Sequence, residues 1–147
     1  MNQQGSDRYV RLVPELVVSD LDRSLTFYTE VLGFSILYER PDERFAYLDR
    51  DGAQIMIEQP VARSFIAGEL EQPYGRGMNL QIEVTDVQAL YAEVQAAGAT
   101  VHLALEDRSY RVRNAPLVNR QFVVQDPDGY LLRFFQDVTN KRNDTPA

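Results

Sequence analysis

Apolar positions along this chain alternate between stretches with a two-residue period and stretches with a period of three to four. Residues 10–18, Val-Arg-Leu-Val-Pro-Glu-Leu-Val-Val, are rich in β-branched side chains and predict a strand. Ser19 and Asp20 then offer side-chain oxygens that can cap a helix. Leu21, Leu25, Tyr28 and Leu32 recur at helical spacing, Phe27 and Val31 widen the stripe, and Gly33 supplies the stop. Short strands are expected at about 34–40, 45–50 and 53–59, separated by Pro41-Asp42-Glu43 and by the hairpin signal Asp51-Gly52.

The connection that follows contains Pro60, Gly68, Pro73, Gly75 and Gly77, and beyond it the pattern restarts. Met78–Val84 is strand-like, Thr85-Asp86 can cap, Leu90, Val94 and Ala97 form a helical stripe, and Gly98 ends it. Strands near 100–105, 119–126 and 130–136 complete the second half, with Asp126-Pro127-Asp128-Gly129 as its last turn. Val18-Ser19-Asp20 matches Val84-Thr85-Asp86, Gly33 matches Gly98, and Asp51-Gly52 through Gln59 matches Asp128-Gly129 through Gln136, all in the same order. Such ordered matches predict an internal duplication of a βαβββ module. One domain is expected over 10–137, with module 1 at about 10–60, linker 61–77, module 2 at about 78–137 and a polar tail at 138–147. The second copy's extra residues fall in 106–118, expected to be a loop in which Arg108, Arg111 and Arg113 accompany Tyr110 and could cover a ligand.

Strand alternation sorts the residues into two faces. Leu16 and Val18, Ile55 and Ile57, Leu80, Ile82 and Val84, and Leu132 and Phe134 should pack under the helices. The opposite face carries Val13, Glu15 and Val17, then Gln54, Met56 and Glu58, then Asn79, Gln81 and Glu83, then Leu131, Arg133 and Phe135. A solvated sheet face would also be polar. The mixture of Met, Val, Leu, Phe and amides with a few charges fits a pocket wall better. Glu15, Glu58 and Glu83 against the single Arg133 would make such a pocket acidic and attractive to cations.

Composition narrows the chemistry. The net charge of −7 argues against nucleic acid or an anionic membrane as partner, and no apolar run approaches the roughly 18 residues of a membrane span. The absence of cysteine removes thiol nucleophiles, thiolate metal sites and disulfides, and fits a reducing compartment. With a polar opening in place of a secretory signal, a cytoplasmic location is expected. His102, the only histidine, lies in a strand-like run and reads as a surface residue rather than a general base. Ser24 has no evident His and Asp partners. Glu15 and Glu58 could divide acid and base roles if burial separated their pKa values, but a ligand-binding role fits them better. Gly75-Arg76-Gly77 is too short for a phosphate loop and reads as a flexible link. Phe65, Tyr74 and Tyr110 are candidates for stacking on a planar ligand, though anchoring loops is the plainer role for each.

The run Val13–Phe34, with its Ser-Leu-Thr-Phe-Tyr and Leu-Gly-Phe signals, and Asp-Pro-Asp-Gly-Tyr at 126–130 resemble the vicinal-oxygen-chelate superfamily. That family includes glyoxalase I, extradiol dioxygenases and bleomycin-resistance proteins. The resemblance implies an α+β fold of two tandem βαβββ modules forming incomplete barrels, and pairing into a homodimer with ligand crevices. It also implies that family enzymes draw His and Glu metal ligands from positions that here are Val13, Met56, Asn79 and Arg133. Val has no donor atom, Met offers a soft thioether, Asn a weak neutral oxygen, and Arg133 a fixed positive charge. The expectation is therefore a protein without metal, cofactor or catalytic residues. It would capture a cationic or amphipathic small molecule through Glu15, Met56, Glu58, Asn79, Gln81, Glu83, Arg133 and Phe135. An enzyme of the same fold, metal-independent or with an unrecognised metal site, is the competing expectation.

Overall fold

The computed structural model describes residues 9–140, which divide into two compact units at Glu71 and Gln72. In unit 1, strand β1 (Glu15–Val17) leads to helix α1 (Leu21–Thr26), then to β2 (Ser35–Arg40), β3 (Phe45–Arg50) and β4 (Ala53–Glu58). In unit 2, β5 (Asn79–Glu83) leads to α2 (Val87–Ala96), β6 (Val101–Val112), β7 (Ala115–Gln125) and β8 (Leu131–Asp137). Each unit forms an open four-stranded sheet of the same order, β1-β4-β3-β2 and β5-β8-β7-β6. The fold class is the mixed α+β arrangement expected, with no closed barrel among the described residues.

The duplication extends to register. In unit 1, Glu15, Leu16 and Val17 pair in parallel with Met56, Ile57 and Glu58. In unit 2, Gln81, Ile82 and Glu83 pair with Arg133, Phe134 and Phe135. These are the same positions that the sequence matches relate. Helix starts repeat as well: Asp20 and Asp86 cap the N–H groups of Arg23 and Ala89, each at 3.1 Å. Gln59 Oε1 accepts from Leu21 N at 3.1 Å, and its counterpart Gln136 Oε1 accepts from Val87 N at 3.3 Å.

The helix-facing sides are dry as the alternation requires. Leu16, Val18, Ile55, Ile57, Leu132 and Phe134 are all buried. In unit 2 the Phe122 ring stacks on Phe134 with centroids 5.5 Å apart and meets Tyr91 at 5.1 Å. The first helix differs from the ideal stripe. It widens into a π-turn at Phe27–Val31, where Leu32 N bonds Phe27 O at 3.1 Å. Ser24, Tyr28 and Leu32 become its fully buried row, while Leu21 and Leu25 are only half-buried.

Two expectations are corrected. Residues 106–118 are not a loop, because β6 and β7 continue as a paired ribbon to the two-residue turn Arg113-Asn114. Arg113 takes the left-handed conformation there without a glycine, so the hairpin carried no ordinary sequence signal. Asp107 and Arg120 brace the ribbon through two bonds of 2.8 and 3.1 Å, and Tyr110 Oη donates to Gln121 Oε1 at 3.0 Å. Gly75-Arg76-Gly77 is likewise no loose link. Residues 72–77 dock on the last turn of unit 2: Gln72 Nε2 donates to Asp128 Oδ1 at 2.8 Å, and Tyr74 N to Asp128 O at 2.7 Å. Tyr74 also packs edge-on against Tyr130, and Asp126 Oδ1 holds the turn by accepting from Asp128 N and Tyr130 N, both at 2.9 Å.

Candidate functional site

The open face of the first sheet holds the richer chemistry. Glu15 on β1 and Glu58 on β4 project from the same face of neighbouring parallel strands, one register step apart. Both line a pocket of about 440 Å³ with Arg40, Glu43, Phe45, Val61, Arg63 and Phe65. Glu58 is buried, only 8% exposed, and its Oε1 accepts from Ser64 Oγ at 2.8 Å. Ser64 Oγ in turn accepts from Val61 N at 2.8 Å, which ties the 61–64 segment to the carboxylate. Glu15 stands at the exposed rim. Partial burial, a hydrogen bond to the Glu58 carboxyl and repulsion from its charge raise the Glu15 pKa to about 7, against a smaller opposing pull from Arg40. Two carboxyls can hydrogen-bond to each other only by sharing a proton.

The adjoining wall carries two guanidinium groups on one carboxylate. Arg40 Nε donates to Glu43 Oε2 at 2.6 Å and Arg63 Nη2 to Glu43 Oε1 at 2.9 Å. The Arg40 guanidinium lies 3.8 Å from the centre of the Phe45 ring, a cation–π contact. Next to Phe45, Tyr38 and Tyr47 stack with centroids 5.1 Å apart and planes at 19°. Tyr9 meets Tyr47 edge-on at 5.4 Å, and Tyr47 Oη donates to Gln54 Oε1 at 2.6 Å. Phe65 closes this region's outer edge almost fully exposed, at 95%. The sequence reading had placed Phe65 among stacking candidates but had not assigned Arg40, Glu43, Phe45 or Arg63 to the site. The alternation Phe45, Tyr47, Asp49 and the pair Tyr38, Arg40 were the available signals, since cross-strand partners share a face.

The remaining candidates lie on the equivalent face of unit 2. Arg133 Nη2 donates to Gln81 Oε1 at 2.7 Å, and among the described residues its buried Nε has no partner. Asn79 and Glu83 are exposed on the edge strand β5, and Phe135 is half-buried beside Gln121 on β7. Met56, the register partner of Glu15, is half-buried. Ser24 lies buried in α1 and His102 is exposed on β6, so neither enters either face's chemistry.

The four positions corresponding to family metal ligands do not form a hard-cation site. Val13 and Asn79 lie two residues before Glu15 and Gln81, the partners of Met56 and Arg133, so each unit places its two positions equivalently. Their side chains supply a hydrocarbon, a thioether, an amide and a guanidinium, none of which is an anionic or imidazole donor. Among the described residues no three His, Cys, Asp or Glu side chains are grouped to hold a metal ion. No helix among them is long and apolar enough to cross a membrane.

Two repeated βαβββ units, each with an open four-stranded sheet of the same strand order, define the fold class. Residues 8–134 match the model of the Glyoxalase/Bleomycin resistance protein/Dioxygenase superfamily, and the chain belongs to that superfamily. It is 28% identical over 143 residues to a bleomycin resistance protein of Geobacillus stearothermophilus, covering 86% of this chain and 96% of that protein. It is 30% identical over 134 residues to a lactoylglutathione lyase of Haemophilus influenzae, covering 86% and 91%. Among solved structures, TioX from Micromonospora sp. ML1 superposes with a TM-score of 0.67 at 27% identity, covering 87% of this chain and 98% of that one.

Proposed function

We propose that this protein is a metal-independent small-molecule binder that captures a cationic or amphipathic compound, in the manner the bleomycin-resistance likeness suggests. The observation that carries this reading is the pocket of about 440 Å³ in which Glu15 and Glu58 share the lining with the exposed ring of Phe65 and with Phe45, whose ring already holds the Arg40 guanidinium. Glu15 and Glu58 act as counter-charges, and Met56 belongs to the same face as apolar wall. In unit 2, Asn79 and Gln81 donate or accept hydrogen bonds, Phe135 adds apolar surface and Glu83 adds negative charge. Arg133, with Nε free of a partner among the described residues, takes an anionic ligand group.

Likeness to the Haemophilus lactoylglutathione lyase favours a second reading, an enzyme of the same superfamily. The two separate in one set of measurements. Thermal-shift screening across cationic, neutral and anionic aromatic compounds is expected to select cations, with about 2.7 kcal/mol of stabilisation at 100 times Kd. Metal analysis of the purified protein is expected to find no stoichiometric Ni, Zn, Fe or Mn. Stoichiometric metal together with lactoylglutathione lyase activity would replace the binding reading with the enzymatic one.

A further inference from the structure

The pocket of unit 1 is lined by three carboxyl groups, Glu15, Glu43 and Glu58, and two guanidinium groups, Arg40 and Arg63. Glu43 is already committed to both arginines, at 2.6 and 2.9 Å. Among the described residues that leaves the Glu15–Glu58 pair with no basic side chain bonded to it, and the five groups together, three negative and two positive when all are ionised, have room for one proton or one cation. We propose that the pocket is a one-for-one exchange site, in which a singly charged aromatic cation enters as the proton shared by Glu15 and Glu58 leaves to solvent. The proposal rests on the binding reading above and specifies its charge and regulation.

Geometry supports the exchange from each surrounding element. From β1 and β4 come the two carboxyls, adjacent on one sheet face. From β3 come Phe45 and Tyr47, with Asp49 turned to the Gln54 amide at 2.9 Å. From β2 come Tyr38 and Arg40, and from the Pro41–Glu43 turn and the 61–65 segment come Glu43 and Arg63. Glu58 is anchored on one oxygen by Ser64, so its second oxygen and the Glu15 carboxyl remain as the groups that can change partner. Arg40 already covers the buried Phe45 ring at 3.8 Å, so the ring left for an entering aromatic cation is the exposed Phe65 at the pocket's edge. A singly charged occupant matches the charge the proton vacates. A dication would leave one charge uncompensated in a partly dry site, where such an imbalance costs more than in water.

The elevated Glu15 pKa of about 7 fits a proton held in the empty pocket at neutral pH. Proton competition then lowers the apparent affinity about tenfold per pH unit below that value, roughly 50-fold between pH 7 and pH 5. The probe is 1-methylquinolinium, whose charge is fixed, with 1-methylnaphthalene as the neutral isostere. Calorimetric titrations at pH 5, 6, 7 and 8.5 in buffers of different ionisation enthalpy read Kd and the protons released. The expected result is tighter cation binding with rising pH, release approaching one proton near pH 6, and neither behaviour for the isostere. In Glu15→Gln, which keeps the shape, binding should weaken at pH 8.5 and its pH dependence should flatten. Cation binding with the same Kd at pH 5 and 8.5 and no proton release overturns the exchange while leaving the binding reading intact. Absence of cation binding at every pH overturns both.

Discussion

The shared proton has a consequence for stability that needs no ligand. A carboxyl whose folded-state pKa lies above its usual 4.5, at about 7, binds more protons folded than unfolded between those values. Folding stability attributable to Glu15 is therefore greatest below pH 4.5 and is lost as pH rises through 7. The full difference would be about 3.4 kcal/mol at about 1.36 kcal/mol per pH unit. Glu15 lies at an exposed rim, where solvent screens the interaction, so about 1–2 kcal/mol is the expected size. Because every other titrating group also shapes the pH profile, the informative quantity is the difference between wild type and Glu15→Gln. Urea denaturation of both at pH 4.5, 6 and 8 should make the variant relatively more stable by about 1–2 kcal/mol at pH 8 than at pH 4.5. The variant retains a hydrogen-bonding amide beside Glu58 but adds no second charge. A difference that stays flat across this range, or one that reverses sign, would show that Glu15 and Glu58 hold no common proton.

Further predictions concern the frames of the two units. Gly129 sits at φ +100° and a Cβ there would lie 2.4 Å from Pro73 Cβ and 2.8 Å from Pro73 Cα, whereas Gly52, at φ +92°, has open space around it. Gly129→Ala should therefore cost about 1–3 kcal/mol more than Gly52→Ala in urea unfolding, and equal costs would mean that residues 72–77 are not docked on that turn. Phe122→Ala removes a fully buried ring stacked on Phe134 and should cost about 3–5 kcal/mol in the same assay. Gln59→Ala and Gln136→Ala each remove the acceptor for a helix's first N–H group. Each should lower the urea midpoint by an amount corresponding to about 0.5–2 kcal/mol, with similar values for the two.

Much of this frame was legible because the β-pleat and the helical turn impose their periods locally. Leu16, Ile57, Ile82 and Phe134 could be assigned to dry faces from alternation alone, and Asp20 and Asp86 to helix starts from their chemistry. The hairpin of β6 and β7 was not legible, since Arg113 adopts a conformation usually given to glycine or asparagine. The pocket was half legible. Glu15 and Glu58 stood out as charges on an otherwise mixed face. Phe45 and Tyr47 fell in an expected strand with no role assigned, since only their cross-strand partners show that they share a face with Glu58 and Met56. Glu43 and Arg63 could not be read at all, because a turn and an irregular segment have no period that fixes where a side chain points.

The duplication explains why the chemistry is nonetheless one-sided. The register that aligns Glu15 with Met56 and Val17 with Glu58 aligns Gln81 with Arg133 and Glu83 with Phe135. At the places where unit 1 has its two carboxyls, unit 2 therefore has Gln81 and Phe135, and where unit 1 has Met56 it has Arg133. The backbone preserved the two equivalent faces while side chains gave one a neighbouring acid pair and the other an amide bonded to a guanidinium. Each unit is thereby expected to prefer its own charge, the acid pair of unit 1 a cation and the Arg133 face of unit 2 an anionic group. Reversing the asymmetry tests this: Gln81→Glu places a carboxylate 2.7 Å-class hydrogen-bonding distance from Arg133 and should satisfy the guanidinium internally. Binding of an anionic aromatic probe such as 1-naphthoate should then weaken by about 1.5–3 kcal/mol, the size of a charge-assisted hydrogen bond, while that of 1-methylquinolinium stays unchanged. Equal loss for both probes would mean that Arg133 takes no part in capture.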